Sequence, residues 1–180
     1  MSSKPEKLIE PRIELVPLSE LHTDYILRWR SDPAVANWLC SPRPPTRDEH
    51  LAWLKTLGEK RREFIIAVKP ENTPVGTIGL SQIDTCHRHA EYGILIGDAS
   101  FRGRGLAQAA SSLILDFAFR TLNLHRVYLR VLAQNESAIR LYERVGFKHE
   151  GVMRQHTFMA GKPCDVVMMG ILEPEWTTRQ

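Results

Sequence analysis

Apolar positions along the chain switch between two periods, and each switch marks an element. Residues 12–18 alternate, with Ile13, Leu15 and Pro17 on one face, which predicts a half-buried strand. Ser19 then stands before Leu21, Tyr25, Leu27 and Trp29 as a helix cap would, and Ser31-Asp32-Pro33 interrupts the helix it starts. Ser41-Pro42-Arg43-Pro44-Pro45 reads as a loop. Thr46-Arg47-Asp48-Glu49 has the spacing of a capping box, with Leu51, Leu54 and Leu57 following at helical intervals and a stop at Gly58. Three short runs, 64–69, 75–83 and 90–96, predict strands whose turn-rich joins suit antiparallel neighbours. A long helix over 103–122 places Leu106, Ala110, Leu113, Ile114, Phe117 and Ala118 on one face. A strand over 126–132, a helix over 137–145 closed by Gly146, and strands over 148–158 and 163–172 complete the series.

That order contains no repeat and no linker, and it predicts one α+β domain with a mostly antiparallel mixed central sheet flanked by helices. The expected division is a flexible N-terminus over 1–10, the domain over 11–176 and a tail over 177–180.

Composition narrows the class. At 180 residues the chain is long enough to bury a full core, and 43% hydrophobic with 25% charged residues is ordinary for a globular protein. Cys40, Cys86 and Cys164 are far apart, with no CxxC pair and no histidines at zinc spacing, so neither a disulfide framework nor a metal site is expected. There is no signal-like start and no run of about 18 apolar residues, which predicts a cytoplasmic protein with no membrane partner. The net charge of +3 arises from Lys and Arg scattered among acids. A nucleic-acid partner would call for a basic stripe with stacking aromatics, whereas an anionic small molecule is compatible with this balance.

Chemistry enters at Ile94-Leu95-Ile96-Gly97-Asp98-Ala99-Ser100-Phe101-Arg102-Gly103-Arg104-Gly105-Leu106-Ala107, a strand, a short loop and a glycine-rich helix start. A helix N-terminus offers unpartnered N–H groups and the positive end of its dipole, and glycines let a bulky anion approach that backbone. Arg102 and Arg104 add charge-assisted contacts for a pyrophosphate. The third glycine of a dinucleotide fingerprint is missing, and no GK[ST] follows as in a P-loop.

Arg102-x-x-Gly105-x-Ala107 resembles the coenzyme A pyrophosphate loop of the GCN5-related N-acetyltransferase (GNAT) superfamily. About thirty residues on, Asn135-Glu136-Ser137-Ala138-Ile139-Arg140-Leu141-Tyr142-Glu143-Arg144-Val145-Gly146-Phe147 resembles that family's N-x-x-A-x-x-L-Y-E-x-x-G-F segment. The resemblance implies a GNAT-type domain that moves acetyl from acetyl-CoA to a primary amine by direct attack on the thioester. It implies main-chain contacts to the pantetheine arm along Ile94, Leu95 and Ile96, and pyrophosphate contacts at Arg102, Gly103, Arg104, Gly105, Leu106 and Ala107. It further implies cofactor contacts at Asn135 and Ala138, Tyr142 as the proton donor to the departing thiolate, and Glu91 as the general base. The residues by themselves also admit a core aromatic at Tyr142, a plain helix cap at Asn135 and an ion-paired carboxylate at Glu91. His50, His87, His89 and His156 are further groups that titrate near neutrality.

The stretches Arg28–Pro33 and Glu49–Leu54 resemble the branch of ribosomal-protein N-terminal and nucleotide-sugar acetyltransferases, and the tail Glu150–His156 with Gly161–Trp176 resembles the amino-sugar enzyme of pseudaminic acid biosynthesis. That resemblance implies the 4-amine of a UDP-amino-deoxysugar as acceptor, with Arg30, His50 and Trp53 in its pocket, and a monomer or homodimer. The alternatives are a protein N-terminus, a polyamine or an aminoglycoside as acceptor, or a non-catalytic acyl-CoA sensor. Helix core is the competing reading of Trp29 and Trp53, and a solvated face that of Arg30.

Overall fold

The computed structural model describes residues 8–10, 12–39 and 43–178. Residues 1–7, within the N-terminus expected to be flexible, and Cys40 lie outside the described residues. Eight strands are described: β1 (Leu8–Glu10), β2 (Ile13–Pro17), β3 (Arg62–Val68), β4 (Thr73–Asp84), β5 (His89–Ile96), β6 (Arg126–Leu132), β7 (Lys148–Met159) and β8 (Lys162–Leu172). They form one sheet in the order β1-β2-β3-β4-β5-β6-β8-β7, antiparallel throughout except between β5 and β6. A parallel pair needs a crossover, and α4 (Leu106–Asp116) supplies it. The expected fold class is the one observed.

The parallel pair is short, and this shapes the molecule. β5 and β6 are in register only from His89↔Arg126 to Glu91↔Tyr128. Beyond that row the strands part, while β5 stays paired with β4 as far as Ile96. The β6-facing edge of β5 from Tyr92 onward is therefore free of a neighbouring strand.

Two helix-covered cores and a small third cluster of Leu132, Cys164 and Val166 hold the sheet. On one face α1 (Thr23–Ser31) lays Ile26 and Trp29 on Ile65 and Ala67. On the other, α4 and α5 (Glu136–Val145) bury Ile114, Leu115, Tyr142 and Val145 with Phe64, Ile66, Leu80 and Tyr92. Strand β3 is covered on both sides, so Phe64-Ile65-Ile66-Ala67 reads as an unbroken apolar run.

Most predicted elements lie within a few residues of their expected bounds, and the exceptions have local causes. The helix expected from residue 103 starts at Leu106, because Gly103 and Gly105 have φ of 72° and 78°, a left-handed conformation that a helix cannot contain. Its last turn, Phe117–Thr121, widens to a π-helix. Ser31-Asp32-Pro33 ends α1 and also opens α2 (Pro33–Ala36), capped by Asp32, whose carboxylate accepts from the Ala34 N–H at 2.9 Å. The capping box of α3 (Arg47–Leu54) is formed: Thr46 Oγ1 accepts from Glu49 N–H at 3.2 Å, and Glu49 accepts from Thr46 N–H at 2.7 Å. Besides α2, other elements were not expected. Strand β1 pairs with β2 inside the segment read as flexible, and α6 (Glu173–Thr177) follows β8. Cys86 is exposed and Cys164 buried, both as free thiols. Among the described residues no helix is long and apolar enough to cross a membrane.

Candidate active site

Where β5 and β6 part, a cavity of about 1340 Å³ opens. Its coenzyme end gathers most of the residues expected there: Ile94, Leu95, Ile96, Arg102, Gly103, Gly105, Leu106, Ala107, Asn135, Ala138 and Tyr142 all line it. The sequence folds this way for separable reasons. Gly103 and Gly105 take backbone conformations that L side chains avoid, which turns the loop back into the start of α4. Arg102 Nε donates to the Ile96 carbonyl at 3.2 Å and ties the loop to the end of β5. Arg104 does not line the cavity; its guanidinium lies 5.1 Å from the centre of the Phe101 ring. The free edge of β5 and the start of α4 together offer main-chain partners for an extended chain ending in a pyrophosphate. The residues present fit coenzyme A.

Asn135 caps α5 with its carbonyl oxygen, which accepts from Ala138 N–H at 3.2 Å and from Ser137 Oγ at 3.0 Å. It lines the cavity as well, so the two readings of this residue coexist.

Two tyrosines meet here with different fates. Tyr92 and Tyr142 stack edge to face with centroids 5.9 Å apart. The Tyr92 hydroxyl lies 2.7 Å from Ser111 Oγ, which itself donates to the Ala107 carbonyl. Tyr92 is thus the donor in that contact and a tie between β5 and α4. Tyr142 lines the cavity, and among the described residues its hydroxyl makes no hydrogen bond. Burial pushes its pKa up to about 12, so it stays protonated as a donor at any ordinary pH.

Glu91 lies at the last row before the strands part. Its carboxylate is held by Arg130 of β6, with Nε 2.7 Å from Oε1 and Nη2 3.1 Å from Oε2. The pair ties β5 to β6 at the neck of the opening.

The acceptor end differs from expectation. Arg30 lines it, but His50 and Trp53 do not. His50 is 3% exposed and packs on Trp53 with ring centres 5.4 Å apart. Burial, then Arg30 and Arg47, lower its pKa and keep it neutral. Their spacing on one helix expressed packing. Of the other histidines, His156 reaches the cavity, whereas His87 pairs with Asp84 at 2.9 Å and stacks on His89 away from it.

Sequence reasoning missed Glu63, Arg61 and Trp38, which also line this end. Glu63 did leave a signal, a charge on the same alternating face as the buried Ile65 and Ala67. Desolvation, opposed by Arg61 at 3.3 Å and by Arg30, pushes its pKa up to about 7.

A free strand edge running to an anion-binding helix start, with a protonated phenol beside it, defines a transferase site that uses an acyl thioester of coenzyme A. The acetyltransferase (GNAT) domain family matches residues 12–148, and the chain belongs to that family. It is an acetyl-CoA-dependent N-acetyltransferase of the GNAT type. Over 118 residues it is 36% identical to spermidine N(1)-acetyltransferase of Vibrio cholerae, spanning 66% of this chain and 67% of that one. The Escherichia coli K12 protein of the same name is 33% identical over 118 residues, 62% of its own length. A crystal structure of the V. cholerae enzyme in complex with CoA and spermine superimposes with a TM-score of 0.87 at 27% identity, covering 93% of this chain and 99% of that one. A structure of the same enzyme described as dodecameric gives a TM-score of 0.81 at 27% identity, covering 95% and 99%.

These likenesses correct two expectations. The resemblance to a pseudaminic acid pathway sugar enzyme, and with it a nucleotide-sugar acceptor, gives way to the spermidine acetyltransferase branch. Much of that resemblance rested on residues 150–176, which form most of the β7–β8 hairpin and α6. The monomer or homodimer gives way to the higher assembly of the related enzyme.

Proposed function

We propose that the acceptor is a polyamine of the spermidine type, acetylated on a primary amine, and that the chain works in an assembly larger than a dimer. The likeness to a polyamine acetyltransferase over 99% of that protein's length carries this reading. Acetyl-CoA supplies an acetyl group activated as a thioester. The free edge of β5 at Ile94–Ile96 orients the pantetheine arm, and the N–H groups from Gly103 to Ala107 receive the pyrophosphate, with Arg102 fixing that loop. Asn135 and Ala138 close the other wall. Tyr142 donates its hydroxyl to the departing sulfur. A phenol at about 12 facing a thiol near 8.5 gives up its proton uphill by about 5 kcal/mol, so transfer is favourable only as the nitrogen's own proton replaces it.

The assembly has support in β7, an edge strand of 12 residues that leaves Val152 and Phe158 56% and 69% exposed. Exposed apolar edges of this length are covered in most proteins. Light scattering of the purified chain tests this, with a mass of a single chain or a pair as the contrary result.

One observation favours a second reading. Arg30 Nε is buried with no hydrogen-bond partner among the described residues, and Arg61 stands beside Glu63. An acceptor with carbonyl oxygens, such as a peptide N-terminus, would satisfy Arg30 where a polycation would not. Thiol release measured against spermidine, spermine, peptides and aminoglycosides decides. Turnover on spermidine with no peptide activity upholds the first reading, and the reverse overturns it.

A further inference from the structure

We propose that Glu63 is the general base of the reaction, taking the proton that the acceptor amine must lose before it attacks. The proposal rests on the amine-acetylation reading. Sheet register sets Glu63 beside Gly79 of β4 and Gly79 beside Gly93 of β5, so one row across the sheet reads Glu63–Gly79–Gly93. Two absent side chains clear the floor between this carboxylate and the free edge of β5. A Cβ on Gly79 would run into the Glu63 carboxylate, which therefore lies across β4, and a Cβ on Gly93 would meet open space. Strands spaced about 4.8 Å apart put β3 roughly 10 Å from β5. A carboxylate reaching over β4 closes about half of that, leaving the width of a nitrogen or of one water.

Its surroundings suit the task. Arg61, just before β3, and Arg30 from α1 face it, β4 presents the neutral Thr77 and Ser81, and α3 contributes the neutral His50 behind Arg30. From β5 comes Glu91, already clamped by Arg130. Burial outweighs both arginines and sets Glu63 at about 7, where a carboxylate both takes and returns a proton at neutral pH. Glu91 and Glu63 are the two carboxylates among the described residues that line the cavity, and Glu63 has the looser partner, with Arg61 Nη1 at 3.3 Å.

The protons balance as follows. The ammonium loses its first proton to a Glu63 oxygen, which passes it to solvent. As the N–C bond forms and the C–S bond breaks, the sulfur takes the Tyr142 proton and the nitrogen's second proton restores the phenol. The products are amide, thiol and one proton released.

Glu63→Gln and Glu63→Asp test this, with acetyl-CoA affinity and melting temperature checked first for retained fold. In the parent enzyme kcat/KM rises tenfold per pH unit below about 7. Glu63→Gln lowers it about 10²-fold and flattens that limb, while Glu63→Asp recovers part of the rate with the limb intact. Independently, a ¹³C-glutamate NMR titration of the protein without coenzyme shows one carboxyl titrating near 7, absent in Glu63→Gln. A limb unchanged in Glu63→Gln, or a Glu63 signal titrating near 4, overturns the proposal and leaves amine acetylation standing. A parent enzyme that releases no thiol with any amine overturns both.

Discussion

The coenzyme end of the cavity is made mainly of main chain, and the acceptor end of side chains. At the first, a strand edge and a helix start receive the ligand through groups every residue carries, and the sequence need only supply glycines where φ is positive. At the second, Arg30, Arg61 and Glu63 arrive from α1, the residue before β3 and β3 itself, and depend on register and burial for their properties. The first design tolerates changes of side chain but not of backbone freedom. The second depends on strand register and turns on single charges.

The sharpest test of this contrast is Tyr142→Phe, a side-chain change at the junction of the two ends. It should lower kcat by about 10²-fold with acetyl-CoA affinity within twofold, read by thiol release and calorimetry. Equal small losses in both would return Tyr142 to the core role that its burial among Tyr92 and Phe147 also allows.

Gly105→Val strikes the backbone instead. A branched residue held at φ 78° costs about 1–2 kcal/mol or moves the loop, so acetyl-CoA binding should weaken at least tenfold. Binding at parent strength would mean that the loop does not hold the coenzyme.

Glu63→Gln also predicts a smaller effect on stability. Folding raises this carboxyl above its ordinary value near 4.5, to about 7. The fold therefore keeps a proton that the unfolded chain releases, and stability falls as pH rises between those two values. The variant should lose that fall and melt on the order of a few °C higher than the parent at pH 8, with no gain at pH 4. A gain at both pH values would point to packing.

The smallest expected effect on catalysis belongs to Trp53→Ala. Trp53 packs on His50 and under the Arg61 guanidinium, 5.7 Å from the ring centre, away from the cavity wall. The melting temperature should drop while KM for the amine moves less than threefold. A large KM change would put Trp53 back in the acceptor pocket.

Local rules determined much of this protein from sequence. Period and capping located most helices and strands, since the residues that decide them are neighbours in the chain, as at Thr46 and Glu49. The coenzyme loop was legible for the same reason, because positive φ and a helix start leave glycines in a fixed short order. Tertiary structure decided the rest. The partner of Glu91 was fixed only when β6 brought Arg130 to it across 39 residues, and the packing of His50 on Trp53 only when α3 formed. Nothing near Glu63 in sequence reveals that Gly79 and Gly93 lie in its row, because register couples strands that the chain keeps apart. A titration midpoint depends on the burial and charges that such neighbours bring, and these exist only in the folded molecule.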